Sequence, residues 1–509
     1  MPNNIYFADR KTDRKDFEDQ TRRLAAILKN HGIGEDDVVA ALLRNDIAHL
    51  CIIEACRLVG AYYVNLNWHN PVTELTPILE DSRAKIVIGH SDLTRSLTPA
   101  NGVNIPVLSI PTPLAITKAY HIDPALTDNQ TDLSLLMKKA TPVQTEPLRF
   151  RAAMHYTSGS TGRPKGIRRI YDPDEPGPYV KYKALAATVM QLNTGDRFYT
   201  SAPLYHSAPN TLSMICLASD YAELHISPKF DAEDFLRYVE QYKITHIYIV
   251  PTMMVRLLKL PKAVRDKYDV SSLKFSLTTG SAWPVDIKQA MIDWFGPIFY
   301  ESYGASEIGF MTLMSSADSM RKPGSVGKVL AGGSIKILDE NKQELPAGES
   351  GLIYAYLPMF GSFTYSNADG ALEKQRYGEH TTVGDIGYLD ADDYLYINDR
   401  KKDMIISGGA NIFPSEIEAA LIDMPQVYDC AVFGAPDPEF GERIIAAVQC
   451  VDGQTLTTEE VRTYLIGKIA KFKIPRHVDF HDQLPREDSG KIFKQRLRAP
   501  YWADTNRKI

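Results

Sequence analysis

Residues 156–167 carry a dense set of groups that can bind a phosphate. The run reads Tyr156-Thr-Ser-Gly-Ser-Thr-Gly-Arg-Pro-Lys-Gly-Ile167. Its glycines permit tight turns, so that successive main-chain N–H groups can converge on an anion. Further hydrogen-bond donors and one positive charge come from Thr157, Ser158, Ser160, Thr161 and Lys165. The run therefore predicts a phosphate-binding loop, which is not a Walker A loop because the spacing GxxxxGK[ST] is absent.

The elements that would position this loop alternate between helices and strands. Apolar residues at helical spacing predict a helix with Asp16 as its N-cap and Gly32 as its stop, and a second helix from Asp46 to Gly60. Short β-rich runs follow at 86–88, 197–201 and 245–250. Such alternation is typical of α/β folds with largely parallel sheets. The segment 105–150 is rich in Pro and Thr and is predicted to be an irregular connection.

The pattern changes in the last part of the chain. Residues 388–397 read as a hairpin, and the charged cluster Asp399-Arg-Lys-Lys-Asp403 follows it. Beyond this cluster, Thr457 and Glu460 have the spacing of a capping box for one more helix. We therefore predict a large layered α/β domain over 1–401, with mostly parallel sheets, and a small α+β domain over 402–509.

Composition limits the possible classes of protein. The chain has 509 residues, 44% of them hydrophobic, and a net charge of −6. These values exclude wholesale disorder and argue against a dedicated nucleic-acid binder. No apolar stretch reaches the roughly 18 residues of a membrane span, and the first residues show no signal-peptide pattern, so we expect a cytoplasmic protein. The five cysteines form no CxxC pair and predict free buried thiols.

The phosphate-loop motif resembles that of the adenylate-forming superfamily, which contains acyl- and aryl-CoA synthetases. Further motifs match in the same order, namely Tyr303-Gly-Ala-Ser-Glu307, Thr382-Val-Gly-Asp385, Asp399-Arg-Lys-Lys-Asp403, Gly408-Gly-Ala-Asn-Ile-Phe-Pro-Ser-Glu-Ile-Glu418 and Pro485-Arg-Glu-Asp-Ser-Gly-Lys491. The resemblance implies an AMP-forming acid–thiol ligase that uses ATP, Mg²⁺ and coenzyme A. It also implies that the C-terminal domain is a mobile lid, with its hinge at Lys402.

The resemblance assigns roles to individual residues. Glu307 is the expected Mg²⁺ ligand, since a hard cation needs oxygen ligands. Asp385 is expected to accept hydrogen bonds from both ribose hydroxyls. Lys491 is expected to reach the carboxylate and the α-phosphate together and to stabilise the charge that develops there. His206 matches a position near the acyl carboxylate, where it would orient the substrate.

The motifs and the positions of other residues relative to the family imply the complete set of predicted site residues. The catalytic residues are Lys491, Glu307, Ser306, His206 and Lys165. The residues expected to bind ATP or AMP are Thr157, Ser158, Gly159, Ser160, Thr161, Gly162, Lys165, Gly280, Ser281, Ala282, Ser302, Tyr303, Gly304, Ala305, Ser306, Asp385, Arg400 and Lys491. The residues expected to bind coenzyme A are Ser407, Gly408 and Gly409. The acyl pocket is assigned to Tyr205, His206, Asn210, Met253, Ser281, Trp283, Gly309 and Met311.

The substrate is predicted less sharply than the reaction. The pocket candidates are mostly apolar, which favours a fatty acid or a bulky alicyclic monocarboxylic acid such as a steroid side chain. An aryl acid is the first alternative, and transfer of the acyl group to the phosphopantetheine of a carrier protein is the second. Glu307 and Lys491 together argue against a non-enzymatic nucleotide-binding homologue. The expected partners are the carboxylic acid, ATP and CoA, without nucleic acid, and a homodimer is the expected assembly.

Overall fold

A computed structural model describes residues 4–127, 130–148, 151–157, 165–170, 178–280, 283, 285–366, 370–486 and 492–503. The helices are α1 Arg14–Asn30, α2 Ile47–Val59, α3 Val72–Ser82, α4 Ser91–Thr94, α5 Leu114–Tyr120, α6 Leu133–Lys139, α7 Pro178–Thr188, α8 Ser207–Ser219, α9 Ala232–Tyr242, α10 Pro251–Leu258, α11 Lys262–Arg265, α12 Val285–Phe295, α13 Ser316–Arg321, α14 Ala371–Lys374, α15 Pro414–Ile422, α16 Thr458–Leu465 and α17 Lys494–Trp502. Single 3₁₀ turns occupy Pro99–Asn101, Pro358–Phe360 and Lys471–Lys473.

Most of the strands are short, and they are distributed over the whole described chain. They are β1 Ile5–Phe7, β2 Arg10–Thr12, β3 Val38–Leu42, β4 Tyr62–Asn65, β5 Ile86–His90, β6 Val107–Ile110, β7 Thr131–Asp132, β8 Ala153–Thr157, β9 Lys165–Ile170, β10 Arg197–Thr200, β11 Glu223–Ile226, β12 His246–Tyr248, β13 Phe275–Thr279, β14 Phe299–Ser302, β15 Gly304–Ala305, β16 Gly309–Phe310, β17 Thr312–Ser315, β18 Lys328–Val329, β19 Ser334–Leu338, β20 Gly351–Tyr356, β21 Ser362–Tyr365, β22 Arg376–Tyr377, β23 His380–Thr381, β24 Asp385–Leu389, β25 Leu395–Arg400, β26 Ile405–Ser407, β27 Ala410–Ile412, β28 Val427–Asp437, β29 Gly441–Cys450 and β30 His477–Phe480.

Two large sheets with parallel centres form the body of the protein. The nine-stranded sheet has the order β18-β17-β14-β13-β12-β10-β11-β1-β2. Its strands from β14 to β1 run parallel, and β2, β17 and β18 add antiparallel edges. The eight-stranded sheet has the order β21-β9-β8-β4-β3-β5-β6-β7. One buried apolar cluster joins residues of both sheets with helices α1, α2 and α8, which confirms the predicted α/β layering.

The phosphate-loop motif connects the antiparallel strands β8 and β9. Tyr156 pairs with Gly166, and Thr157 pairs with Lys165. The ring of Tyr156 lies so close to Gly166 that a Cβ on that residue would overlap it. The hydroxyl of Tyr156 donates to Asp81 at 2.7 Å. The base of the loop is therefore held by a hairpin and tied to the helix α3.

The remaining sheets are mainly antiparallel. A six-stranded sheet contains β19, β20 and β22–β25, and its β24–β25 pair confirms the predicted hairpin. The last sheet combines β26–β29 with the parallel strand β30. Alternate residues of β28 face two separate apolar clusters, since Val432 belongs to one and Phe433 to the other. The C-terminal segment therefore has its own core, whereas the boundary at Lys402 and the mobility of the segment stay predictions.

Two local predictions were wrong. The N-cap of α1 is Asp13 rather than Asp16, because the Asp13 carboxylate accepts the Asp16 N–H at 2.9 Å and starts the helix three residues earlier. The segment 105–150 is not irregular, since it holds β6, α5, β7 and α6. Parallel pairing of β6 with β5 supplies the order that its composition hides. The capping box of Thr457 and Glu460 is confirmed, with both of its hydrogen bonds present.

The cysteines are free, as predicted. Cys51, Cys56, Cys216 and Cys430 are buried, and Cys450 is partly exposed. Burial raises the pKa of the Cys51 thiol to about 12 and raises those of Cys56 and Cys216 further. Among the helices that the structure describes, none combines the length and the apolarity needed to cross a bilayer.

Candidate active site

A cleft of about 2190 Å³ lies between the body and the C-terminal segment. On the body side it is lined by residues that follow neighbouring parallel strands, including Met253 after β12 and Gly280 and Trp283 after β13. On the other side it is lined by Arg400 and Lys402 and by residues of α15, β28 and α17. Ligands of parallel α/β sheets bind at the carboxyl ends of the strands, which is the position of this cleft.

Tyr303, Asp385 and Arg400 form one group that is joined by a hydrogen bond and an ion pair. The Tyr303 hydroxyl donates to Oδ2 of Asp385 at 2.7 Å, and Nε of Arg400 lies 3.4 Å from Oδ1 of the same carboxylate. Burial, together with the neighbouring Asp385 carboxylate, raises the pKa of Tyr303 well above its usual value, so its hydroxyl keeps its proton. The predicted adenine-binding and ribose-binding residues are therefore brought together. Ser302 is buried at the end of β14, directly before Tyr303.

The Gly304 and Ala305 backbone forms a tight antiparallel ladder with Gly309 and Phe310. A Cβ on Gly304 would overlap the carbonyl oxygen of Gly309. Gly309 has a φ of +73°, and a Cβ there would overlap the Phe360 ring. The glycine in the motif Tyr303–Glu307 is thus required by the close approach of two main chains. This ladder holds the turn between its two strands, which contains Ser306 and Glu307.

Glu307 is a buried carboxylate, and among the described side chains it accepts a hydrogen bond from Tyr365. It is 9% exposed, and the Tyr365 hydroxyl donates to its Oε1 at 3.4 Å. Burial raises the pKa of Glu307, while the positive charges of Arg169 and Arg400 act in the opposite direction. The Lys165 ammonium lies 5.4 Å from the centre of the Tyr365 ring. The predicted metal ligand and the predicted phosphate-binding lysine therefore both lie near one tyrosine.

The donor set fits Mg²⁺ held together with a nucleotide. Within the described ranges, no three His, Cys, Asp or Glu side chains are grouped so that they could hold a metal ion alone. Mg²⁺ typically binds through one or two carboxylates plus substrate phosphates and keeps several waters. A single carboxylate at Glu307, which shares the neighbour Tyr365 with the phosphate-loop residue Lys165, matches that requirement.

Ser306 is anchored from two sides. Its hydroxyl donates to the Ser207 hydroxyl at 3.1 Å, and its carbonyl oxygen accepts from Arg169 at 2.6 Å. Ser207 is the first residue of α8, and His206 is the N-cap. The motif at 303–307 is therefore linked to the start of the helix that carries the predicted substrate-orienting histidine.

The predicted acyl-pocket residues separate into two groups. Met253 and Trp283 line the cleft. Tyr205 and Asn210 are buried, and the Asn210 amide accepts from Tyr63 and donates to the Leu204 carbonyl, both at 3.0 Å. Both ends of the Asn210 side chain are thus engaged in holding the turn before α8.

Met311 is fully buried rather than exposed to the cleft. It packs with Ile308, Ala355 and Leu357 in a small apolar cluster. Its main-chain N–H donates to the Tyr303 carbonyl at 2.8 Å. Met311 therefore packs in the interior of the protein, next to the main chain of Tyr303.

Gly408 and Gly409 form the two-residue turn of the β26–β27 hairpin. Ser407 pairs with Ala410, and the two glycines have φ values of +58° and +81°. Positive φ at both central residues is the type I′ geometry, which favours glycine. The turn also packs against Phe440, whose main-chain carbonyl accepts the Gly408 N–H at 2.9 Å. The predicted CoA-binding residues thus present a narrow backbone edge.

Lys402 lies between β25 of the six-stranded sheet and β26, the first strand of the last sheet. Burial and the nearby Arg400 charge lower the pKa of Lys402. Its carbonyl oxygen accepts a 3.4 Å hydrogen bond from Arg498 of α17. A cation–π contact also links the body to the last sheet, since the Lys259 ammonium lies 3.4 Å from the centre of the Tyr428 ring.

Several predicted residues lie outside the described residues. These are Ser158, Gly159, Ser160, Thr161, Gly162, Ser281, Ala282 and Lys491. Thr157 is described as the last residue of β8, without its side chain. The roles of all these residues stay predictions.

Sequence reasoning missed Arg169, Ser207 and Tyr365. Tyr365 and Arg169 come to the same part of the sheet because β21 pairs with β9, so that Phe363 lies opposite Arg169 and Tyr365 opposite Ile167. The two segments are almost two hundred positions apart in the chain, and a single sequence carries no signal of such a pairing.

Comparison with known proteins identifies the family. The family model "AMP-binding enzyme" matches residues 3–360, and the model "AMP-binding enzyme C-terminal domain" matches residues 416–491. The chain therefore belongs to the AMP-binding enzyme family.

Among curated relatives, a feruloyl-CoA synthase from an Amycolatopsis species is 32% identical over 94% of this chain and 92% of its own length. A long-chain-fatty-acid–CoA ligase from Bacillus subtilis is 29% identical over 97% of this chain and 90% of its own length.

Solved structures agree with this assignment. ATP-bound MatB from Rhodopseudomonas palustris has a TM-score of 0.85 at 27% identity, covering 99% of this chain and 97% of its own. The Bacillus subtilis o-succinylbenzoate CoA synthetase MenE, in complex with ATP and magnesium, has a TM-score of 0.81 at 27% identity over 97% of this chain and 96% of its own. The predictions of an AMP-forming acid–thiol ligase, of ATP and coenzyme A as its cosubstrates and of Mg²⁺ as its metal cofactor are confirmed. The homodimer and the cytoplasmic location stay predictions.

Proposed function

We propose that the protein joins a monocarboxylic acid with a largely apolar body to coenzyme A in two half-reactions. The observation that carries this proposal is the group of Tyr303, Asp385 and Arg400, in which Tyr303 is hydrogen-bonded and Arg400 is ion-paired to Asp385. Arg400 lines a cleft whose body side presents Met253 and Trp283. A nucleoside site and an apolar wall within one cleft suit the activation of an apolar acid by ATP.

In the first half-reaction, a carboxylate oxygen of the acid attacks the α-phosphate of ATP. The new bond from oxygen to phosphorus forms as the bond to the pyrophosphate oxygen breaks. Asp385 holds the ribose, Tyr303 lies against the base, and Lys165 binds the departing phosphates. Lys491 stabilises the charge at the α-phosphate. Mg²⁺, when bound at Glu307, supplies charge neutralisation for the pyrophosphate.

In the second half-reaction, the CoA thiolate attacks the acyl carbonyl and AMP leaves with the bonding electron pair. The narrow turn at Gly408 and Gly409 lines the path of the thiol once the C-terminal segment has rotated about Lys402. Domain closure of this kind shields the acyl adenylate from water between the two steps.

Two classes of acid remain candidates. A fatty or alicyclic acid is supported by the apolar residues of the cleft wall and by the long-chain-fatty-acid relative. An aryl acid is supported by the feruloyl-CoA relative and by an indoleacetate–CoA ligase from Aromatoleum aromaticum, which is 29% identical over 97% of this chain.

A pyrophosphate-release screen tests the proposal directly. Purified protein is assayed with ATP, Mg²⁺ and CoA over fatty, alicyclic and aryl acids, and the thioester product is identified by mass. We expect release that depends on one apolar acid and on CoA. Preference for a polar diacid, or for a holo-carrier protein over free CoA, would contradict the proposed substrate or the proposed acceptor respectively.

A further inference from the structure

The side chain of Asp81 joins two segments that are far apart in the chain. Asp81 lies in the last turn of α3, and its Oδ2 accepts a hydrogen bond from the Tyr156 hydroxyl at 2.7 Å. The same oxygen accepts a second hydrogen bond from the Ser366 hydroxyl at 2.6 Å. Tyr156 is the first residue of the phosphate-loop motif, and Ser366 directly follows β21. One carboxylate oxygen therefore holds two donors that are 210 positions apart.

The two donors come together beside Gly166. Tyr156 pairs with Gly166 in the β8–β9 hairpin, and the main-chain N–H of Ser366 donates to the Gly166 carbonyl at 2.8 Å. A Cβ on Gly166 would overlap both the Ser366 hydroxyl and the Tyr156 ring. The absence of a side chain at this position thus permits the two donors to approach one acceptor.

The acceptor and its helix are themselves well held. Burial, together with the neighbouring Asp81 carboxylate, raises the pKa of Tyr156 above its usual value, so its hydroxyl keeps the proton that it donates. Hydrogen bonds to a carboxylate are shorter and roughly twice as strong as those between neutral groups. The helix α3 is anchored by Leu75, Ile78 and Leu79, which pack in an apolar cluster with residues of β3, β4 and β5. Asp81 is therefore able to fix both segments relative to the body of the protein.

Each of the two segments leads to a group that is proposed to bind phosphate or metal. The residue after Tyr156 ends β8 and pairs with Lys165. Tyr365 directly precedes Ser366, and its hydroxyl donates to Glu307 at 3.4 Å. The centre of the Tyr365 ring lies 5.4 Å from the Lys165 ammonium. The carboxylate on α3 is therefore connected through one segment to the lysine and through the other to the expected metal ligand.

Resting on the proposed function, we propose that Asp81 is a positioning residue for the phosphates of ATP. By holding Tyr156 and Ser366 on one oxygen, it fixes the base of the phosphate loop relative to the Glu307 carboxylate. The role concerns the β- and γ-phosphates, which leave together as pyrophosphate. AMP lacks these two phosphates, so its binding does not depend on Asp81.

Asp318 on α13 is a matched control carboxylate. It accepts hydrogen bonds from the Ser315 hydroxyl at 2.8 Å and from the Tyr394 hydroxyl at 3.1 Å, so its donors are of the same two kinds as those of Asp81. Neither Asp318 nor its two donors are among the residues proposed to bind ATP, the acid or coenzyme A. Asp318→Ala should therefore lower the stability of the fold, as Asp81→Ala does, but leave nucleotide binding unchanged.

The test compares the binding of two nucleotides without turnover. Calorimetry measures the Kd of ATP with Mg²⁺ and the Kd of AMP, both in the absence of the acid and of CoA. The variants are Asp81→Ala, Asp81→Asn and Ser366→Ala, with Asp318→Ala as the control. Asp81→Asn keeps an oxygen that can accept hydrogen bonds, so it is the conservative variant. Thermal unfolding checks the fold of each variant, and pyrophosphate release over the panel of acids is measured in parallel.

We expect Asp81→Ala to raise the Kd of ATP about 10-fold while the Kd of AMP changes less than about 2-fold. Ser366→Ala should act in the same direction by a smaller factor, and Asp81→Asn should recover most of the loss. If Asp81→Ala does not fold, Ser366→Ala must show the loss that is specific to ATP.

An equal weakening of ATP and AMP binding in the Asp81 and Ser366 variants, or no change in either, overturns the inference. A loss specific to ATP in Asp318→Ala overturns it as well. A loss specific to ATP in Asp81→Ala, in a protein whose wild type releases no pyrophosphate with any acid, supports the positioning role and contradicts the proposed function instead.

Discussion

The phenol of Tyr303 and the carboxylate of Asp385 are joined by a 2.7 Å hydrogen bond, although the two residues are 82 positions apart. Arg400 approaches the other oxygen of the same carboxylate at 3.4 Å. Asp385 is thus oriented from both sides. In a nucleoside the base is attached to the ribose, so residues proposed to bind these two parts must lie side by side, as these two do.

Removing the Tyr303 hydroxyl tests this coupling. Tyr303→Phe keeps the aromatic ring and removes the donor that orients Asp385. We expect KM for ATP to rise about 3- to 10-fold with kcat little changed, which corresponds to the loss of one hydrogen bond. Asp385→Asn should cost more, on the order of 100-fold in kcat/KM. Both values come from pyrophosphate-release kinetics.

Tyr388→Phe is the matched control, because Tyr388 lies on the same strand as Asp385 and stacks on Tyr396 with ring centres 4.8 Å apart. Its kinetics should equal those of the wild type. A fall in kcat at constant KM for Tyr303→Phe would show that the hydroxyl acts in the chemical step rather than in binding the nucleotide.

Glu307 provides a prediction on stability as a function of pH. Burial raises the pKa of Glu307, so the folded protein binds this proton more tightly than the unfolded chain does. The contribution of the group to stability is then present at low pH and is lost as pH rises through the raised pKa. Glu307→Gln should therefore increase Tm by about 1–3 °C at pH 8 and change it little at pH 4, while pyrophosphate release is abolished.

Glu301 is the matched contrast. Burial raises the pKa of Glu301 as well, but its carboxylate is paired with the buried Lys288 ammonium at 2.6 Å. Glu301→Gln leaves that ammonium without a counter-charge, and the free energy of unfolding at neutral pH should fall by about 3–5 kcal/mol. Thermal or denaturant unfolding of both variants provides the comparison, and a lower Tm for Glu307→Gln at pH 8 would contradict the account.

Lys491 separates the two half-reactions. If it acts only at the α-phosphate, Lys491→Ala abolishes adenylate formation yet spares thioester formation from a chemically prepared acyl adenylate. Lys468→Ala, an exposed lysine beside Tyr464 in the same C-terminal segment, should affect neither step. An equal loss of both half-reactions in Lys491→Ala would rule out the proposed role.

The Gly408–Gly409 turn provides a test of the second half-reaction. Gly409 has a φ of +81° with open space around its Cα, so Gly409→Ala introduces a methyl group toward the proposed thiol path. We expect thioester formation to slow at least about 10-fold while adenylation changes less than about 2-fold. Single-turnover assays of each step measure the two effects.

Gly453→Ala controls for backbone strain, because Gly453 has a φ of +77° and equally open surroundings in the same segment. Its strain of roughly 1–2 kcal/mol should match that of Gly409→Ala. If Gly453→Ala slows thioester formation to the same extent, the effect comes from strain in the segment and not from the thiol path.

The parts of the fold that the sequence predicts well are those with local signals. The capping box at Thr457 and the glycine stop at Gly60 appear in the structure with the predicted geometry. The predicted start of α1 was wrong by three residues. Both position 13 and position 16 hold an aspartate, and the sequence alone does not show which of the two caps the helix. The elements within 105–150 depend on pairing with β5, which is tertiary information.

In the candidate site, too, the residues with local sequence signals were predicted and those placed by tertiary pairing were not. The motifs identify Tyr303, Glu307 and Asp385 without any knowledge of the fold. Tyr365, which contacts Glu307, enters the site through strand pairing with a distant segment and has no motif of its own. Met311, which was predicted by position to line the acyl pocket, is fully buried in a small apolar cluster, because residues distant in the chain such as Ala355 and Leu357 pack against it.

The burial of the cysteines acquires a chemical meaning in an enzyme that makes acyl adenylates. Such a mixed anhydride is an electrophile that acylates thiolates. Thiols in apolar surroundings remain protonated and inert, and burial raises the pKa of Cys51, Cys56 and Cys216 in this protein. These thiols therefore stay protonated and do not compete with the thiol of coenzyme A for the acyl adenylate. Self-acylation at these positions is avoided.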